Sequence, residues 1–400
     1  MRIALATVGT TGDVRPFLVL GRALRDAGHE VTAVTWPLHL AACQAAGLEA
    51  VAAGPQADPA ALTRVAEAAA DLGPMDQVAL LRDLHLEGGV DAYRDLDRIL
   101  PGNDLVVLHS IHTLAEAVVR DRDLAWATAV FDPVLQPTRS APPPGMPSLG
   151  PGNRLLWSML DRMLRRLDGP LDDVLRVSGS RQHGLRMFRG RSPRLHMVAC
   201  SPSIIRVPPD LPRTAHVTGA WLDRGSVPAL PGEVAAFLDA GAAPVVVTFG
   251  SMGAGGRVPV EDAVRRMLAA GRRVVLQGWT PDWTDPGLLA IGPVEHRALF
   301  PRASVVVHHG GAGTTHTVCA AGVPSVVVPH VGDQPYWAAR LAELGVAPPP
   351  VAAKGLTGER LAAAVLDVLG TARGEAAQAL ARRLADEDGV ARAAELIAAM

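Results

Sequence analysis

Apolar positions along this chain come in short runs separated by stretches of helical period, and the alternation recurs throughout. Arg2–Val8 is a short apolar run followed by Gly9-Thr10-Thr11-Gly12-Asp13, which reads as a turn. From Pro16 the apolar positions Leu18, Leu20, Ala23 and Leu24 predict a helix ending near Ala27-Gly28, and Val31–Thr35 predicts the next strand. A right-handed crossover makes such a pair of strands parallel. Cys43–Val51 continues as helix then strand, and Leu105–His109 and Ala125–Phe131 read as strands flanking a helix at Leu114–Arg120. Met197–Cys200 and His216–Thr218 are further short strands. The pattern restarts at Pro244–Phe249, with a helix near Val260–Ala270 and strands at Arg273–Gln277, Leu289–Gly292, Val305–Val307 and Val326–Val328. The tail Leu361–Met400 is Ala-rich and helical. Repeated strand–helix–strand predicts an α/β protein with two Rossmann-like parallel sheets.

Two stretches interrupt this rhythm. Pro133–Pro151 is rich in Pro, Gly and Ser and reads as a long loop. After it, Asn153–Leu167 has helical period, with Leu155, Leu156, Met159, Leu160, Met163 and Leu164 in one stripe and Arg154, Arg162, Arg165 and Arg166 elsewhere. The stripe is expected to face the core, with contact to the acceptor or to a membrane surface as the alternative. Pro202–Pro212 holds four prolines, which places an interdomain linker at residues 207–222. The expected division is therefore 1–206, linker 207–222, 223–380, and a terminal helical segment 381–400.

Composition narrows the classes. A chain of 400 residues is too long for one compact unit, and two are expected. Net charge is −2 with no basic stripe, which argues against nucleic acid as a partner. Cys43, Cys200 and Cys319 are scattered and odd in number, so neither a disulfide framework nor a zinc site is expected, and a reducing cytoplasm is the expected setting. No apolar run reaches transmembrane length, and MRIALATVG reads as a strand rather than a signal peptide.

The densest chemistry lies in Ser304–Trp337. An apolar strand ends in His308-His309, Gly310-Gly311-Ala312-Gly313 and Thr314-Thr315 follow, an Ala-rich helix runs to Ala321, and a second strand leads to Asp333-Gln334. A glycine loop at a helix N-terminus aims free N–H groups and the positive end of the helix dipole at one spot, which suits a phosphate. The loop lacks the Lys of a Walker loop and the spacing of a dinucleotide GxGxxG.

HHGGAGTT, then AGVP, a hydrophobic strand and DQPYW, resembles the donor-sugar signature of family 1 glycosyltransferases, in the bacterial natural-product and sterol-type branch. The resemblance implies a GT-B fold, with acceptor in the N-terminal half, nucleoside diphosphate sugar in the C-terminal half, and the last helix, Asp386–Met400, crossing back to the first domain. It implies an inverting transfer of a hexose from a UDP- or dTDP-sugar to a small hydrophobic acceptor. No metal or other cofactor, nucleic acid or membrane insertion is expected. His309, Ser251, Gly311, Gly313 and Thr314 would meet the donor phosphates, Asp333 and Gln334 the sugar, and Val294 the base. Asp13, in a GxxGD loop at the end of the first strand, would be the general base; the alternative is that it only caps the following helix, with Pro16 in its first turn. His109 and His112 are weaker candidates for the acceptor, and His308 reads as structural. Asp95-Leu96-Asp97 and Asp121-Arg122-Asp123 match the DxD metal pattern but read as solvated. Rival readings are a transferase for a lipid-linked acceptor, a sugar-nucleotide epimerase, and an inactive partner of the same fold.

Overall fold

A computed structural model of the chain describes residues 1–56, 72–133, 137–143, 146, 148–250, 259–369 and 372–400. These form two compact units. The first holds residues 1–56, Leu72–Asp223 and Asp388–Met400, and the second holds Arg224–Glu387.

The first unit is built on seven parallel strands: β1 (Arg2–Ala6), β2 (Glu30–Thr35), β3 (Glu49–Ala52), β4 (Leu105–His109), β5 (Trp126–Val130), β6 (His196–Val198) and β7 (Ala215–Val217), in the order β3-β2-β1-β4-β5-β6-β7. The central strands β4 and β5 are buried along their whole length, as continuous apolar runs in a sheet covered on both faces must be. Its helices are α1 (Thr11–Asp26), α2 (Leu40–Ala45), α3 (Pro74–Leu86), α4 (Gly89–Ile99), α5 (Thr113–Asp121), α6 (Asn153–Leu164) and α7 (Gly169–Ser178).

The second unit has five parallel strands: β8 (Val245–Thr248), β9 (Val274–Gln277), β10 (Leu288–Ile291), β11 (Val305–His308) and β12 (Ser325–Val327), in the order β10-β9-β8-β11-β12. Around them lie α8 (Gly232–Asp239), α9 (Val260–Ala269), α10 (His296–Leu299), α11 (Ala312–Ala321), α12 (Gln334–Glu343), α13 (Gly358–Leu369) and α14 (Arg373–Ala385). In each sheet the strand order reverses once, between β1 and β4 and between β8 and β11. In open α/β sheets the crevice at such a reversal, outside the carboxyl ends of the strands, is where ligands bind.

The final helix, α15 (Gly389–Ala398), belongs to the first unit. Val390, Ala393 and Ile397 join Phe17, Leu20 and Leu24 of α1 in one buried cluster. A Cβ on Gly389 would lie 2.4 Å from the carbonyl oxygen of Gly219, so only glycine lets the helix start there.

Four expectations change. α1 starts at Thr11 rather than Pro16, because Thr10 takes extended backbone as its N-cap and the whole Thr11–Asp13 stretch is helical. The stretch 207–222 is not simply a linker: its His216 and Val217 lie on β7, which pairs with β6 and completes the first sheet. The segment 381–400 is not one helix. It contains the end of α14, a break, and α15, whose N-cap Asp388 accepts a hydrogen bond from the amide of Ala391 at 3.0 Å.

Finally, the apolar stripe of α6 does not face the core. Leu155 and Met159 are 62% and 58% exposed, while Asn153 and Trp157 are buried. The burial succeeds because both are paired: the Asn153 carbonyl accepts from the amide of Leu149 at 2.8 Å, and the Trp157 indole donates to the Ala141 carbonyl at 2.9 Å. A polar residue with its hydrogen bonds met inside can turn a helix away from its apolar stripe.

Candidate active site

At the β1/β4 reversal, the backbone after β1 turns through Gly9 at φ 112°, and a Cβ there would meet Asp13 Oδ2 at 2.5 Å. The glycine therefore lets the Asp13 carboxylate fold back over the loop. His39 Nε2 lies 2.9 Å from the Gly9 carbonyl oxygen, to which it donates, fixing the loop from the other side. Asp13 Oδ2 accepts from the Thr10 amide at 2.7 Å and from its hydroxyl at 2.8 Å. Asp13 is thus the third residue of α1 and does cap it. Only one oxygen is used this way, and among the described residues Oδ1 accepts no hydrogen bond. Burial raises the Asp13 pKa above the usual carboxylate value, opposed by the Thr10 bonds and by His85 and His39. A carboxylate with one held oxygen, one open oxygen and raised basicity can cap and still accept a proton.

His109 and His112 sit after β4 and are both buried. His109 is wedged between Phe17 and Phe131, with ring centroids at 5.8 and 4.9 Å, and its Nδ1 lies 3.5 Å from the Thr7 hydroxyl. That packing makes it part of the wall. His112 differs: its Nε2 is buried with no hydrogen-bond partner and it lines a narrow pocket. Burial pushes both rings down to about 3, so they are neutral imidazoles at ordinary pH.

In the DxD matches Asp123 is exposed and Asp95 pairs at the surface with Arg98, as expected of solvated acids, while Asp97 and Asp121 are tied into the structure. Asp97 holds the Arg122 guanidinium through two bonds of 2.6 Å, and Asp121 accepts from Tyr93 and Ser180, each at 2.5 Å.

In the second unit, β8 and β11 pair in register and end at Thr248 and His308. Beyond them Gly250, at φ 58°, brings its backbone against His309, where a Cβ would lie 3.2 Å from the imidazole Cε1. His308 is fully buried and its Nδ1 accepts from the amide of Gly310 at 3.1 Å, a structural bond that shapes the loop. His309 is 9% exposed and its Nδ1 is buried without a hydrogen-bond partner. Burial lowers its pKa to about 4 and that of His308 to about 3, so His309 would meet a ligand as a neutral ring. Gly310, at φ 92°, approaches Val327 and the Gln334 backbone too closely for any side chain. Gly311 is the N-cap of α11, which puts Ala312, Gly313 and Thr314 in the first turn, where amides lack helical partners. Nothing lies within 4 Å of the side-chain position of Gly313, so that face is open. Ser251 lies outside the described residues.

Asp333 is the N-cap of α12, and its Oδ2 accepts from the Trp337 indole at 2.5 Å. The Gln334 side-chain oxygen accepts from the amides of His330 and Val331 at 2.8 and 3.1 Å. The pair therefore organises its own loop, and Gln334 has its amide N–H groups rather than its oxygen to offer a ligand. The Val294 carbonyl accepts from Gln277, whose side-chain oxygen lies 2.8 Å from His296 Nε2. Gln277, His296 and Trp337 were not selected from sequence. Each gains meaning only from a neighbour distant in the chain or one helical turn away.

Residues 286–398 match the family described as Erythromycin biosynthesis protein CIII-like, C-terminal domain. Over 423 aligned residues, covering 99% of this chain and 97% of the relative, the chain is 34% identical to O-mycaminosyltylonolide 6-deoxyallosyltransferase of Streptomyces fradiae. The chain belongs to this family of glycosyltransferases. Among solved structures, the glycosyltransferase of kitacinnamycin superposes with TM-score 0.75 at 22% identity, covering 100% of this chain and 98% of that one. VinC, solved in complex with dTDP, superposes with TM-score 0.68 at 21% identity, covering 100% and 99%. The two parallel-sheet units of this glycosyltransferase are those of the GT-B fold. No described helix of this glycosyltransferase is long and apolar enough to cross a membrane.

Proposed function

We propose that this glycosyltransferase moves a hexose, with inversion, from a nucleoside diphosphate to a hydroxyl of a small, mostly apolar acceptor. One observation carries the donor half: the buried His309 ring, with an unpartnered nitrogen, beside the open first turn of α11 at the β8/β11 reversal. An imidazole N–H and several helix-terminal amides converging there would take the negative charge that gathers on the diphosphate as its bond to the sugar breaks. Ser251, Gly311, Gly313 and Thr314 complete the phosphate contacts in this reading, Asp333 and Gln334 hold the hexose, and Val294 borders the base. In the first unit, Asp13 Oδ1 would take the proton of the acceptor hydroxyl as the new C–O bond forms. His112, and less directly His109, would border the acceptor.

Incubation with UDP-glucose and with dTDP-glucose, each with a set of hydroxylated polyketides and sterols, tests the reading by mass spectrometry. VinC in complex with dTDP makes the thymidine nucleotide the first to try. A hexose mass gain on an acceptor, or release of free hexose, is expected from one of them. An isomerised sugar nucleotide would favour an epimerase, and binding of neither nucleotide would sink the proposal.

His309→Ala removes one contact to an anionic phosphate, worth roughly 1.5–3 kcal/mol, or about 10–100-fold in rate. The loss should fall mainly on kcat if the contact tightens as the phosphate leaves. Unchanged kinetics in a folded variant would remove His309 from the reaction.

The helix terminus and His309 also stand in this reading where other transferases place a cation. Activity should therefore survive excess EDTA. Activity abolished by EDTA and restored only by Mg²⁺ or Mn²⁺ would overturn that part.

A further inference from the structure

We infer that His85, on α3, and His112, on the turn into α5, form a hydroxyl-selecting subsite in the first unit that binds one O–H group of an otherwise apolar acceptor. The subsite rests on the acceptor reading above and adds its chemical selectivity. A narrow pocket at the β1/β4 reversal is lined by Val8, Trp36 and Met187 together with the two imidazoles. Each ring has its Nε2 buried and without a hydrogen-bond partner. Two such nitrogens lining one mostly apolar pocket call for a partner from outside the chain, because a buried polar atom is nearly always paired.

The tautomer of His85 is set by its other nitrogen. Nδ1 lies 2.7 Å from the Leu81 carbonyl oxygen, which can only accept, so Nδ1 carries the proton. Nε2 is then a bare lone pair and requires a donor. The ring cannot swing away easily, since Trp36 and Phe188 flank it with centroids at 5.5 and 5.0 Å. A hydroxyl or N–H satisfies such a site. A ketone or ether oxygen sets lone pair against lone pair at His85 Nε2 and leaves that nitrogen unmet. Sites built around a buried polar group discriminate strongly against analogues that cannot pair with it. Burial keeps both rings neutral, so the preference holds at ordinary pH.

The test uses protein labelled with ¹⁵N at histidine and two probes of matched shape, cyclohexanol and cyclohexanone. The His85 Nε2 resonance should be that of an unprotonated ring nitrogen and should move on addition of cyclohexanol far more than with cyclohexanone. A thermal shift given by cyclohexanol should be lost in His85→Phe. Equal responses to the two probes, or a protonated Nε2 in the free protein, would overturn the subsite, and neither result needs the variant to fold. UDP and dTDP binding to the wild type is measured in parallel. If neither nucleotide binds, the transferase reading has failed; if one binds while the two probes are indistinguishable, only the subsite has.

Discussion

Asp13→Asn is expected to lower glycosyl transfer by roughly 10²–10⁴-fold while leaving the first unit folded and nucleotide binding intact. The structure sharpens this expectation because the two roles of Asp13 use different oxygens. Oδ2 takes the amide and hydroxyl of Thr10, and an asparagine carbonyl can occupy the same place. What asparagine lacks is basicity at the open position. An alcohol is a poor nucleophile until its proton leaves, and burial has already made this carboxyl a stronger base than usual. The measurement is kcat with a saturating donor, beside a thermal melt. An asparagine variant that turns over normally would reduce Asp13 to a helix cap and would leave His112 as the neighbouring candidate.

Acidification should destabilise both units well before carboxylates alone would. Burial holds His109, His112, His196 and His308 near 3 and His309 near 4. In the unfolded chain histidine titrates near its ordinary value of about 6.5. Below that value the unfolded state binds protons that the folded state refuses. The stability these groups contribute is thus fully present above about 6.5 and is lost as pH falls toward 4 or 3. Each imidazole adds a slope of about 1.4 kcal/mol per pH unit inside its window. Glu116 and Asp168, which burial raises, act in the opposite sense. Urea midpoints at pH 7.5, 6 and 5 should therefore fall steadily. His196→Gln isolates one contribution, since that ring sits beside the Thr128 hydroxyl at 2.8 Å and has no part in either site. Its midpoint should depend less on pH than that of the wild type, and identical slopes would refute the assignment.

Much of the architecture was legible because buried parallel strands are written as short apolar runs. Leu105–His109 was read with the bounds that β4 has, and Val305–Val307 falls within β11. The sheet order was not legible, since strand pairing is a relation between distant segments. The helix start at Thr11 is hidden because Pro16 looks like a first turn, whereas Thr10 and Asp13 cap each other and start the helix five residues before that proline. The stripe of α6 misled because Asn153 counts as polar in sequence but is satisfied in place. At the sites, glycines and histidines next to a strand end announced themselves. His85 did not: it sits in a helix of ordinary pattern, and only the approach of Trp36, Phe188 and the Leu81 carbonyl gives it a direction.

The position of α15 has a consequence for the order in which the molecule can be made. Its apolar face completes the cluster around Phe17, Leu20 and Leu24, yet it is encoded after the whole second unit. At ribosomal speeds of about 5–20 residues per second, the interval between Asp223 and Gly389 is on the order of ten to thirty seconds. For that time the nascent first unit carries an uncovered apolar strip on α1. A stalled or prematurely terminated message would release a product with two sheets and an open seam, prone to clump rather than to act.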